Sequence, residues 1–258
     1  MQLRKPHEYA QIFFDFDGVI VDSVEAKIDA FGELYSPYGA DIRRKVEAYQ
    51  RAVPGETRYD KIPRFHRDYL GQDLSDADLQ SWSERLSKIV LDTVVACPLL
   101  PDVDITLATL QRLKVPAHIV SGTPHLELQE IVARKGIQHF FKQVRGAPEK
   151  KAAIVHDILD GTGVDLKDCL FVGDAITDFD CAKTCAMDFL GCATNGAHPF
   201  EPGTPVVDRL GEYFPNGFED TTARAAQPAQ PSPARTAQPS HEFKAQTSVE
   251  QRSRRVQF

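Results

Sequence analysis

Short apolar runs alternate with amphipathic stretches along most of the chain. Five runs have the length and bounding residues of strands buried on both faces: Gln11–Asp15, Ala117–Val120, Gln143–Arg145, Cys169–Val172 and Phe189–Cys192. Helical patterns lie near Val103–Lys114, His125–Lys135, Lys150–Leu159 and Asp178–Ala186. This alternation predicts an α/β fold, a doubly wound, Rossmann-like parallel sheet.

One interval departs from it. Residues 24–95 hold no strand-like run but several amphipathic helical patterns, among them Glu25–Tyr35, Ile42–Ala52 and Asp76–Val95. The expected organisation is an α/β core from residues 1–22 and 97–222, with an all-helical cap, 23–96, inserted after the first strand. The crossings near Asp22–Ser23 and Cys97–Pro101 then act as paired hinges, the second stiffened by Pro98 and Pro101. From about Ala223 the composition shifts to Pro, Ala, Gln and Ser, so 223–258 is expected to be a disordered tail.

Charge narrows the partners. Six basic and two acidic residues give the tail +4, which leaves −11 on the rest of a chain whose formal net charge is −7. An acidic body repels polyphosphate backbones, so nucleic acid is not the expected partner. No run approaches the roughly 18 apolar residues of a membrane span. Arg4 and Lys5 precede an apolar stretch, but Asp15 and Asp17 interrupt it, which an export signal does not tolerate; the expected location is cytoplasmic. The five cysteines lack C-x-x-C or zinc spacing and are read as buried, reduced thiols.

Four groups stand at the ends of predicted strands, where open α/β sheets place their ligands. Asp15-Phe16-Asp17-Gly18 follows Ile12-Phe13-Phe14. Two carboxylates leaving a buried strand are costly unless they bind a cation or do acid–base work, and Gly18 permits a sharp turn. Ser121-Gly122-Thr123 supplies a hydroxyl and small residues that suit a phosphate oxygen. In Gly146-Ala147-Pro148-Glu149-Lys150-Lys151, Pro148 is expected in the first turn of a helix, from which a lysine could neutralise a transferring phosphoryl group. Gly173-Asp174-Ala175-Ile176-Thr177-Asp178 brings two more carboxylates. With Asp15 they make an all-oxygen set suited to Mg²⁺ rather than zinc; helix capping is the structural alternative.

Taken in order, D-F-D-G-V-I-V-D-S, V-S-G-T-P, G-A-P-E-K-K and F-V-G-D-A-I-T-D resemble the four motifs of the haloacid dehalogenase superfamily. The helical insert is similar to the cap of its phosphoglycolate phosphatase and β-phosphoglucomutase branch. The likeness spans roughly residues 10–215 and leaves out the tail. It implies an Mg²⁺-dependent phosphatase that hydrolyses a small phosphorylated metabolite through an aspartyl-phosphate on Asp15. Asp17 would be the general acid and then the base. Phosphate would be bound at Phe16, Asp17, Ser121, Gly122 and Lys151, and the metal by Asp15, the Asp17 carbonyl, Asp174 and Asp178. The spacing G-x-P-x-x-K favours Lys151, with Lys150 as the alternative.

Within the insert, Arg58 and Lys61 lie three apart, so one helical face can present both to the cleft and recognise an anionic or hydroxyl-rich leaving group. A solvated helix face is the other reading. His66, His118 and His125 are read as structural or peripheral. Sugar phosphates, phosphoglycolate-like acids and nucleoside monophosphates all fit the motifs. A phosphomutase of the same fold is the alternative function. A haloacid dehalogenase is disfavoured, having no use for Asp17 or Mg²⁺, and so is a non-catalytic binding protein, because every expected catalytic position is filled.

Overall fold

The computed structural model describes residues 3–193, 196 and 198–215. The tail expected over 223–258 lies outside them. Six parallel strands form one sheet: β1 (Gln11–Phe14), β2 (Ala117–Pro124), β3 (Gln143–Ala147), β4 (Cys169–Gly173), β5 (Asp188–Cys192) and β6 (Val206–Val207). Their spatial order is β3-β2-β1-β4-β5-β6. The chain moves outward from β1 to β3, then crosses back to β4 on the other side of β1. That reversal opens a crevice at the carboxyl ends of β1 and β4.

Side chains alternate across the sheet and fill two apolar layers. Ile12 and Phe14 face one layer with Ile119, Leu170 and Val172. Phe13 faces the other with Val120, Phe171 and Phe189. Helices α5 (Val103–Leu113) and α6 (His125–Arg134) cover the first layer; α7 (Lys151–Leu159) and α8 (Ile176–Thr184) cover the second. A short α9 (Leu210–Tyr213) closes the described chain. All five predicted strands are present; the two-residue β6 is too short for any periodicity to announce it.

Between β1 and α5 the chain is helical: α1 (Val24–Tyr35), α2 (Ala40–Ala52), α3 (Arg58–Phe65) and α4 (Asp76–Ala96). Their core is aromatic, with Tyr35 stacked on Trp82 at 5.2 Å and edge-on to Phe65 at 5.6 Å. Helix α3 carries Pro63 and runs into a wider turn over His66–Leu70 that ends on Gly71 at φ 65°. The two crossings are stitched together. Val21 and Leu99 form an antiparallel bridge, the Asp22 N–H donates to Pro98 O at 3.0 Å, and the Leu100 N–H donates to Ile20 O at 3.0 Å. No helix among the described residues is long and apolar enough to cross a membrane.

The expectation for Pro148 is corrected. Helix α7 begins at Lys151 with Lys150 as its N-cap, so Pro148 precedes the helix, in a cis Ala147–Pro148 peptide.

Candidate active site

Asp15 stands one residue past β1, fixed there because its N–H donates to Val172 O of β4 at 2.9 Å. Its carboxylate Oδ1 accepts from the Phe16 N–H at 2.7 Å, so in this state that donor is turned onto Asp15 rather than left open for phosphate. Gly18 turns the chain at φ 78°, and any Cβ there would land on Asp174 Oδ2. Both facts demand glycine, and together they press the first and fourth motifs against each other.

Asp174 follows β4, and Asp178 occupies the third position of α8. Asp178 does two things. Its Oδ2 accepts from the Ala175 N–H at 3.1 Å, which is a capping bond, while its Oδ1 accepts from Lys151 Nζ at 2.5 Å. The structural and functional readings of this residue therefore both apply, one to each oxygen. The N-cap of α8 is Ala175, not Asp174.

Asp15, Asp174 and Asp178 present oxygens within 4.8 Å of one another. Lys151 Nζ reaches Asp15 Oδ2 at 3.0 Å, whereas Lys150 is exposed. One ammonium among three carboxylates, two of them buried and Asp174 partly so, leaves an excess of negative charge. Burial, and then the neighbouring carboxylates, push Asp15 up to about 7 against the pull of Lys151. Asp174 is raised well above its ordinary value by burial and by repulsion from Asp15 and Asp178. Burial opposes the Lys151 charge, but Asp15 and Asp178 outweigh it and raise that pKa. The set lacks positive charge and offers only hard oxygen donors, so it fits a divalent cation such as Mg²⁺. The Asp17 carboxylate is not in the cluster; only its carbonyl is left for that role.

Asp17 points the other way. Oδ1 accepts from Ser23 Oγ at 2.6 Å, and Oδ2 accepts from Lys27 Nζ at 2.5 Å and Thr123 Oγ1 at 2.9 Å. Burial pushes its pKa up, but the Lys27 ammonium and these hydrogen bonds prevail and hold it below the usual carboxylate range. Lys27 was not read from the sequence as a site residue. The available signal was its position four residues after Ser23, on the same face as the start of α1.

Ser121, 1% exposed, and Gly122 line the same chamber, a cavity of about 110 Å³ that runs from the carboxylates into the insert. Arg58 and Lys61 line it too. They are 6% and 4% exposed, which overturns the solvated-face reading. Arg58 donates to Glu127 Oε1 at 2.8 Å, Ser83 O at 3.0 Å and Ser87 Oγ at 2.8 Å. Lys61 donates to Gln50 Oε1 at 2.6 Å. A larger groove of about 590 Å³, beside edge strand β3, holds none of the expected site residues. His66 and His118 are buried with unpartnered ring nitrogens among aromatic rings, as structural histidines. His125 accepts from the Gly146 N–H at 3.3 Å.

Known proteins resemble this chain in sequence or in fold. A phosphoglycolate phosphatase of Pseudomonas savastanoi pv. phaseolicola is 27% identical, over 86% of this chain and 85% of that protein. A predicted phosphoglycolate phosphatase of Haemophilus somnus has a similar fold, with TM-score 0.64 and 18% identity, over 80% of this chain and 96% of that one. So has a β-phosphoglucomutase of Clostridium difficile, with TM-score 0.64 and 17% identity, over 84% and 96%. The haloacid dehalogenase-like hydrolase family model matches residues 9–186, and with most of its length inside that match the chain belongs to the haloacid dehalogenase-like hydrolases.

Proposed function

We propose that the protein is an Mg²⁺-dependent phosphatase that hydrolyses a small phosphate monoester through an aspartyl-phosphate on Asp15. The observation that carries this reading is the convergence of Asp15, Asp174, Asp178 and Lys151 in one buried cluster at the crevice. Asp15, the Asp17 carbonyl, Asp174 and Asp178 would hold Mg²⁺, which when bound draws charge from the phosphoryl oxygens.

The chain's own groups divide the work. Asp15 attacks phosphorus as the bond to the leaving oxygen breaks, and Asp17 gives that oxygen a proton. Water then attacks the acyl phosphate while Asp17 takes its proton, which frees Asp15 and inorganic phosphate. Asp17 rests ionised, the form needed for the second step. For the first it must gain a proton, which the arriving ester or solvent brings, while Lys27 and Ser23 hold its carboxyl in place. Ser121 and the Gly122 backbone would hold the phosphoryl oxygens, and Lys151 would neutralise them.

Residues 23–96 act as a cap on a core whose described parts are 3–22 and 97–215, moving about the stitched crossings to admit substrate and exclude water. The relatives' names make phosphoglycolate the first substrate to assay.

Asp15→Asn tests the nucleophile. The amide is nearly isosteric yet forms no acyl phosphate, so phosphate release should fall below about one percent, a barrier increase of roughly 2.7 kcal/mol or more, with the fold retained. Turnover above that level rules Asp15 out.

A further inference from the structure

All the cysteines are free thiols, and two of them stand together. Cys181 and Cys185 lie one turn apart at the end of α8, where the Cys185 N–H donates to Cys181 O at 3.0 Å. Residues four apart share a helix face, so both side chains enter the same apolar layer, 4% and 1% exposed. There the Cys181 thiol donates to the Cys185 sulfur. Cys97 and Cys169 instead turn their thiols onto backbone oxygens, Thr93 O and Asp165 O.

Buried cysteines are ordinarily inert, but this pair has both access and activation. A second cavity, of about 390 Å³, meets the active-site chamber at Ser121, Gly122 and Lys151 and reaches Cys181 and Thr184. The hydrogen bond from Cys181 holds the Cys185 thiol below its ordinary value against the effect of burial, so the pair releases a first proton more readily than an isolated buried thiol. The proton that remains can sit on either sulfur. When it sits on Cys185, the cavity-facing Cys181 is the thiolate.

We propose that Cys181 and Cys185 are an oxidation site, joined as a disulfide by a hydroperoxide, and that the new bond disturbs Asp178. The Cys181 thiolate attacks one peroxide oxygen, the O–O bond breaks, and the other oxygen leaves and takes up the released proton, as water or an alcohol. Cys185 then attacks the sulfenic sulfur, which expels hydroxide, and the Cys185 proton turns that into water. Helical Cβ atoms four residues apart are about 5–6 Å from each other, whereas a disulfide needs roughly 3.5–4.5 Å. Closing the bond therefore contracts the last turn of α8. The C-terminal end is held, because Ala186 turns the chain at φ 53° and the Met187 N–H donates to Ala182 O at 2.9 Å. The displacement passes to the first turn, where Asp178 packs so closely on β4 that a Cβ at Gly173 would lie 2.2 Å from its own. Asp178 also holds Lys151. The loss of activity thus rests on the phosphatase reading, and the disulfide does not.

The test exposes the reduced full chain to a few equivalents of hydrogen peroxide, alkylates it, digests it with trypsin and weighs the peptides. Trypsin cuts after Lys183, between the two cysteines, so their peptides stay together only if bonded. The joined pair should appear, lighter by two hydrogens than the separate reduced peptides, with fragment ions placing the link at Cys181 and Cys185. Phosphate release from p-nitrophenyl phosphate with Mg²⁺ should fall about tenfold or more, and dithiothreitol should restore it along with both thiols. Cys181→Ala should turn over like the untreated wild type and keep that rate in peroxide. No linked peptide in the wild type, or a link among other cysteines, overturns the site; a linked protein of unchanged turnover overturns the coupling to Asp178. An untreated wild type that hydrolyses no ester refutes the phosphatase reading instead, and the linked peptide alone then decides the oxidation site.

Discussion

Removing Glu127 should destabilise the protein far more than removing the whole ion pair. Glu127 lies in the first turn of α6, and its partner Arg58 in the first turn of α3; both side chains are 5% exposed. Ser87 Oγ also donates to Glu127 Oε2 at 2.5 Å. Glu127→Ala deletes the charged acceptor and strands a guanidinium whose remaining acceptors, Ser83 O and Ser87 Oγ, are neutral. Breaking a buried pair from one side costs about 3–5 kcal/mol, and the surviving bonds place this case near the lower end. At about 2–4 °C per kcal/mol for a chain of this size, the melting temperature should drop by roughly 6–12 °C. Arg58→Met with Glu127→Ala removes both charges and should lie within about 1–2 kcal/mol of wild type, so the cycle of wild type, the two singles and the double should show strong coupling. Melting followed by circular dichroism on the four proteins measures it. A drop below about 2 °C for Glu127→Ala, or a double variant as unstable as the sum of the singles, would show that water reaches this pair and that the insert does not rest closed on α6.

Chelation should abolish phosphate release, and Mg²⁺ should restore it where Zn²⁺ does not; full activity in excess EDTA would refute the metal assignment. Gly18→Ala places a methyl on Asp174 Oδ2 at a positive φ. It should cost about 1–2 kcal/mol in stability from the backbone alone and lower kcat at least about tenfold, and unchanged kinetics would mean Asp174 is free to move. His118, stacked on Phe13 at 4.9 Å, is held down to about 4 by burial and then by Lys142. The unfolded chain takes up this proton near 6.5 and the folded one only near 4, so stability is full above 6.5 and drains as pH falls through that window, by up to about 3 kcal/mol. His118→Phe should flatten the acid limb of a melting-temperature profile relative to wild type, and parallel profiles would contradict this.

The sequence disclosed whatever sits directly after a strand. Asp15 and Asp174 stand directly past β1 and β4, and a polar residue at such a boundary has few purposes; Ser121 follows Ile119 and Val120 but lies within β2, which runs on to Pro124. Lys151 and Asp178 follow closely in the same loops. Residues that reach the site from helices carry no such mark. Lys27 reads as an ordinary amphipathic position of α1, Gln50 as the last turn of α2, and Glu127 as an acid favoured at any helix start. Their importance arises from packing between α1, α3, α4 and α6, which local pattern does not encode. Arg58 and Lys61 both line the chamber from α3. Only the contact partners distinguish them, since Glu127 lies 69 positions from Arg58 in sequence. Pro148 misled because proline suits a first helical turn, and here it serves a bend ahead of one.

The stitch between Val21 and Leu99 has an evolutionary consequence. The chain leaves the core and returns to it at a single point, where Ile20 and Asp22 are hydrogen-bonded to Leu100 and Pro98. To the sheet, everything from Val24 to Ala96 has the standing of one long loop whose ends are already joined. An insert of different length or sequence can be exchanged at that point while strand order, the crevice and the three clustered carboxylates stay in place, provided it offers α6 a surface to pack on. On the proposed mechanism Asp15, Asp17, Ser121, Lys151, Asp174 and Asp178 all come from the core, whereas Lys27, which holds Asp17, and Lys61 belong to the exchangeable stretch. A descendant can therefore exchange most of the insert and keep the core's carboxylates, so long as the new stretch still supplies a cation for Asp17.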